Sequence, residues 1–154
     1  MKATMRFIMP IMLILVSAST GWFARGLSDD LSTQVITEAA ATTEHLDWGT
    51  FITYTPEQGT TTYGTQNMLT GTAIINPGME IHPPHQHSAE EFLYVVEGSG
   101  TWSVQGEEVE ATAGDLLYAY PWEWHGITNT GDTPLKFFVV KWDNKGVPLP
   151  VKER

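Results

Sequence analysis

From about Asp47 onward the sequence predicts an all-β domain, a small barrel or sandwich closed around a single core. Three observations carry this reading. Short runs rich in β-branched and aromatic residues follow one another, and residues with turn chemistry interrupt them about every 8 to 12 positions. The breaks fall at Pro77-Gly78, Gln105-Gly106, Ala113-Gly114 and Asn129-Thr130-Gly131-Asp132, where glycine and short polar side chains suit tight reversals. Finally, 154 residues have room for one modest core, and no internal repeat suggests a second domain.

Taken in order, the chain opens with a segment that reads as a signal peptide or membrane anchor over residues 1–25. Lys2 and Arg6 precede an apolar run from Phe7 to Ala18, and Val16-Ser17-Ala18 offers small residues for cleavage. The apolar character continues through Trp22 and Phe23, giving 17 residues, near the lower limit for spanning a bilayer, so cleavage and anchoring both fit. Either way the charge balance across the run, Lys2 and Arg6 against Arg25, predicts export of the bulk of the chain, with membrane contact only through residues 1–25. There is no cysteine, which excludes a lipidated N-terminal Cys and any disulfide.

Residues 26–46, rich in Thr, Ala and acids, read as a spacer, either a short helix opening at Asp29 or Asp30 or a stalk. The barrel is placed at 47–142 and a C-terminal tail at 143–154. Its strands are expected in the runs GTFITYT, NMLTGTAII, EFLYVVEG, GTWSVQ, DLLYAYP, HGITNT and LKFFVVKW.

Charge narrows the partners. With 18 acidic and 8 basic residues the formal charge is -10, which excludes nucleic acid as an expected partner. Between Gly26 and Leu135 there is neither Lys nor Arg, and Lys136 and Lys141 are the only cations the barrel could offer a ligand. Exposed edge strands in a small barrel leave room for pairing into a homodimer.

The stretch from Ile81 to Gly100 concentrates the chemistry. Residues two apart on a strand share a face, so His85 and His87 go together, and the same parity selects Glu91 over Glu90. Leu93 and Val95 continue the inward row and Tyr94 faces outward. Two imidazoles and a carboxylate are costly to bury together unless a cation neutralises them, and a divalent metal does so. His125, at the start of a later run, is a fourth candidate. Any one of these histidines taken alone reads more readily as a solvated or internally satisfied residue than as a ligand.

The residues resemble the cupins, small β-barrels in which two motifs bring three His and one Glu to one metal. His85-Gln86-His87, three residues, Glu91, six residues and Gly98 match the first motif. Gly114, ten residues, His125, three residues and Asn129 resemble the second. The resemblance covers about Asn67 to Trp142 and implies one divalent transition metal, Mn, Fe, Co, Ni, Cu or Zn, held by His85, His87, Glu91 and His125. Departures from the family pattern lie at Gly78, one residue further from His85 than usual with Pro83-Pro84 before the ligand, and at Trp122, where the family usually has glycine. A bulky indole adopts a glycine conformation only at a cost, so the loop before His125 is expected to take a different path. His82, Leu93, Trp122, Trp124 and Asn129 are candidates for the pocket or for supporting the ligands; Glu80, Tyr118 and Glu123 cannot be oriented from sequence.

The resemblance implies dioxygenase, decarboxylase or oxidase chemistry, or binding without chemistry. Dimethylsulfoniopropionate-lysing cupins typically carry Tyr two residues beyond the ligand Glu, where this chain has Leu93, which argues against that activity. Together with the scarcity of cations, the reading favours an exported, metal-dependent enzyme acting on a neutral or weakly charged small molecule. The alternative is a non-catalytic module that binds a small molecule or metal.

Overall fold

The computed structural model describes residues 33–57 and 59–152. The signal or anchor segment, and a helix opening at Asp29 or Asp30, lie outside these residues. Among the described residues no helix is long and apolar enough to cross a membrane. Among the described residues one 3-10 turn, Glu38–Ala40, precedes nine antiparallel strands. They are β1 (Thr42–Leu46), β2 (Gly49–Thr53), β3 (Thr65–Ile75), β4 (Glu90–Glu97), β5 (Ser99–Val104), β6 (Glu107–Thr112), β7 (Leu116–Ala119), β8 (His125–Thr128) and β9 (Leu135–Asn144). They form a six-stranded sheet in the order β1-β2-β3-β9-β4-β7 and a three-stranded sheet in the order β6-β5-β8.

The alternation expected of half-buried strands is realised most clearly in β4, where Glu91, Leu93 and Val95 are buried and Phe92, Tyr94 and Val96 are exposed. In β9, Leu135, Phe137 and Val139 face inward in the same way. Phe137, Ile75, Leu135 and Val95 are among the largest fully buried side chains, and Trp102 and Ile127 from the smaller sheet pack with them.

Two strands differ from the sequence reading. The sheet begins at Thr42 rather than Asp47, because residues assigned to the spacer form β1, paired with β2 from Thr42↔Thr53 to Leu46↔Gly49. Every residue of β1 is exposed, so it has no buried face to give it an alternating pattern. The second is β6, whose first four residues, Glu107 to Glu110, are exposed and mostly acidic. It is held by a two-residue hairpin with Gln105 at φ 52° and Gly106 at φ 86°, the positive-φ pair that matches strand twist. Its charges also suit a sheet edge, where they discourage further pairing.

Glycine is required at two junctions. Gly49 sits where a Cβ would lie 1.9 Å from the Ile74 carbonyl oxygen, and Gly98 combines φ 83° with 2.5 Å to the Pro134 carbonyl oxygen. Both hold β-strand connections that no side chain fits.

Candidate metal centre

The two motifs meet where β8 begins. His85 and His125 form an isolated antiparallel bridge, with His85 N–H donating to His125 O and His125 N–H to His85 O, both at 2.9 Å. This reciprocal pair sets the two imidazoles side by side. His87 follows in irregular backbone, so its convergence with His85 comes from the loop rather than from one continuous strand. Glu91, second residue of β4, reaches the same point from the opposite sheet. Close approach is permitted by Gly126, whose missing Cβ would lie 3.1 Å from Pro84 Cα.

One ligand atom from each of His85, His87, Glu91 and His125 lies within 4.8 Å of all the others, and this group could hold a metal ion. The three ring centroids are 4.6 to 5.1 Å apart. His87 Nδ1 is 2.9 Å from Ala89 O, and His125 Nδ1 is 2.9 Å from Glu123 O. A carbonyl accepts only, so each Nδ1 carries the proton, and in the neutral ring Nε2 is left with a lone pair. Both Nε2 atoms face Glu91 Oε2, at 3.0 and 3.1 Å. Lone pair against carboxylate is repulsive unless a proton or a cation fills the gap. His85 Nδ1 is buried without a partner. The donor set therefore fits a divalent ion bound by nitrogen and oxygen, and the backbone carbonyls orient two of the rings.

The charges respond as this crowding requires. Burial, reinforced by His82, His125 and His87, pushes His85 down to about 4. Burial opposes ionisation of Glu91, but hydrogen bonds from His125 and His87 outweigh it and hold the carboxyl at about 2. Burial likewise opposes a charge on His125, yet its bonds to Glu91 and to the Glu123 carbonyl raise it above the ordinary imidazole value.

His85 and Glu91 also form part of the wall of a cavity of about 290 Å³. The remainder is mostly apolar: Leu46, Trp48, Phe51, Leu69, Ile81, Leu93, Leu117, Ile127, Phe137 and Val139, with Lys141 and His82 as the further polar members. Leu93 and His82 line this cavity, with the His82 ring 4.1 Å from that of His85. Leu46 and Trp48, from the β1–β2 hairpin, were not legible as pocket residues because nothing local distinguishes them from spacer and turn.

The other candidates fall elsewhere. Trp122 and Trp124 do not line this cavity; they border a separate depression with Tyr120 and the tail residues Pro150 and Val151. Trp122 also corrects the expected loop path, since it adopts the left-handed conformation at φ 65° that glycine would have taken. Such a residue costs about 1 to 2 kcal/mol. Trp122 N–H donates to His87 O at 2.8 Å and its Nε1–H to Pro150 O at 2.6 Å, which offsets the cost and ties the loop to a ligand. Asn129 is fully buried but structural: its Nδ2 donates to Ile75 O and Thr133 O, and its Oδ1 accepts from Gly131 N–H. Tyr118 turns outward to Glu90 at 2.6 Å, which raises its phenol to about 12. Glu80 bridges to Thr128, and Glu123 serves through its backbone carbonyl.

Residues 71–141 match the family model described as the cupin domain. The chain is 35% identical over 91 residues to a gentisate 1,2-dioxygenase from a Streptomyces species, covering 58% of this chain and 24% of that protein. It is 39% identical over 57 residues to an oxalate-binding protein from Thermotoga maritima, covering 36% of this chain and 47% of that one. The chain thus spans between about a quarter and a half of the length of these two relatives. A crystal structure described as a predicted oxalate decarboxylase from Thermotoga maritima superposes with a TM-score of 0.57 at 23% identity, over 71% of this chain and 98% of the other, and shows the shared fold. Two facing antiparallel sheets, the converging histidines and glutamate, and these relatives agree: the chain belongs to the cupin superfamily.

Proposed function

We propose that this cupin is a metal-dependent enzyme of the dioxygenase type that acts on a small molecule bound in the cavity beside His85 and Glu91. The observation that carries it is the juxtaposition of the four-residue donor cluster with a half-open, mostly apolar chamber of about 290 Å³, large enough for a one-ring compound. The gentisate 1,2-dioxygenase similarity supports the reaction type. A bound divalent ion with open positions would supply Lewis acidity and, if redox-active, access to dioxygen. The chain's own residues do the rest. His87 and His125 are held in one orientation by the Ala89 and Glu123 carbonyls. Leu93, Leu117, Phe137 and Val139 exclude water from the chamber. His82, exposed at the rim and against His85, is placed to exchange a proton with solvent.

The non-catalytic reading draws on one observation: among the described residues no carboxylate other than Glu91 lines the cavity, leaving His82 and Lys141 as the groups for proton transfer. Dioxygen consumption by the iron- and manganese-loaded full chain, with gentisate and other small hydroxylated aromatics, separates the two. Turnover that disappears with His125→Ala supports the enzyme. Saturable binding with no oxygen uptake across the panel overturns it in favour of a binding protein.

A further inference from the structure

Lys141 stands out among the cavity residues. It continues the inward row of β9 after Leu135, Phe137 and Val139, and its cross-strand partners are Glu91 on β4 and Leu69 on β3. Directly opposed residues of an antiparallel pair have Cβ atoms about 5 Å apart, so the ammonium-bearing chain starts beside the metal-ligand carboxylate. It is half-buried and lines the cavity with His85 and Glu91. Among the described residues it makes no hydrogen bond and no ion pair, while both histidine contacts of Glu91 lie on the Oε2 atom. The Lys141 charge helps hold the Glu91 carboxyl low, so Glu91 is its counter-charge while no metal is bound, and no Lys or Arg lies between Gly26 and Leu135.

Glu91 is not that counter-charge once it binds a metal. A divalent ion with one carboxylate and three neutral imidazoles keeps one positive charge, and Lys141 adds a second on the same wall. With such an ion bound the chamber would be a positive pocket in an acidic protein, with apolar surface from Phe51, Leu69, Leu93 and Val139 around it. We propose that Lys141 is the ligand-recognition cation of the cavity, selecting small molecules that carry one carboxylate on an apolar body. A single ammonium matches a monoanion; an oxalate-like dianion lacks both a second cation and apolar surface to bury. The inference deepens the proposed function and rests on the cavity being its ligand site.

The test is ligand-observed NMR on the zinc-loaded full chain with matched probes, benzoate against benzamide and salicylate against salicylamide, for wild type, Lys141→Met and Lys141→Arg. The acids are expected to bind on the order of tenfold more tightly than the amides, the preference being lost in Lys141→Met and largely kept in Lys141→Arg. Equal binding of acid and amide overturns the assignment. So does a preference that survives in Lys141→Met, which would place the carboxylate on the ion alone, or failure of both acids to bind at millimolar concentration. Metal content and unfolding midpoint are read on the same samples. A folded protein without metal defeats the metal-dependent function, whereas a metal-loaded protein indifferent to ligand charge defeats the role of Lys141 alone.

Discussion

Replacing Glu91 by Gln keeps the shape of the side chain and removes its charge, and the structure fixes what that should cost in the metal-free protein. The carboxyl is held at about 2 instead of its ordinary 4.5, chiefly by the His125 and His87 bonds that outweigh burial. At about 1.4 kcal/mol per pH decade, that difference is worth about 3 kcal/mol of folding stability. A depressed folded-state value means the contribution is fully present above pH 4.5 and is lost as pH falls through about 2. Urea denaturation of the chelator-treated protein should therefore find Glu91→Gln less stable than wild type by about 3 kcal/mol at pH 6, with the gap closing toward pH 2 and the urea slope unchanged. Adding zinc should widen the gap at pH 6, because ligand binding stabilises only the chain that binds it. Equal stability of the two proteins at pH 6, or a gap that grows as pH drops, would refute the coupling of Glu91 to the two imidazoles.

Asn129→Ala leaves Ile75 O, Thr133 O and Gly131 N–H without their side-chain partners in a fully buried turn, so it should cost about 2 to 4 kcal/mol in denaturation experiments. The folded fraction should still bind one equivalent of metal, since Asn129 lies outside the cavity; loss of metal would return it to the site. Metal affinity should fall as pH drops, and because His125 is held above the ordinary 6.5, proton competition should begin above that pH, while His85, at about 4, competes last. Chelator competition from pH 8 to pH 5 checks this, and a flat affinity contradicts histidine ligation. The charge and apolar run of residues 1–25 lead to a proposal of export: a reporter active only outside the cytoplasm, fused after residue 46, should be active, and inactivity there sinks it.

Much of the candidate centre was legible in the sequence because the signals are local. Strand parity on Glu91, Leu93 and Val95 depends only on neighbouring residues, and the structure buries all three. Spacing within each histidine motif is likewise short-range, although the structure makes His87 a loop residue rather than a strand residue. Strands with little or no buried face escaped notice: β1 is exposed throughout, β6 buries Ala111 but exposes its four acidic-rich leading residues, and pairing defines both.

By itself, then, the sequence determined an all-β chain, its inward rows and the four residues that converge. Only the tertiary structure decided what surrounds them. Lys141 opposes Glu91 through the β4–β9 register, a pairing between distant segments that no local pattern encodes. Leu46 and Trp48 become cavity wall because β1 folds back on β2. Trp122 takes a glycine's conformation because His87 and Pro150 supply hydrogen bonds from elsewhere in the chain. Periodicity reports which side of a strand is buried, whereas register and long-range hydrogen bonds set which side chains meet across the barrel, and ligand choice depends on that meeting.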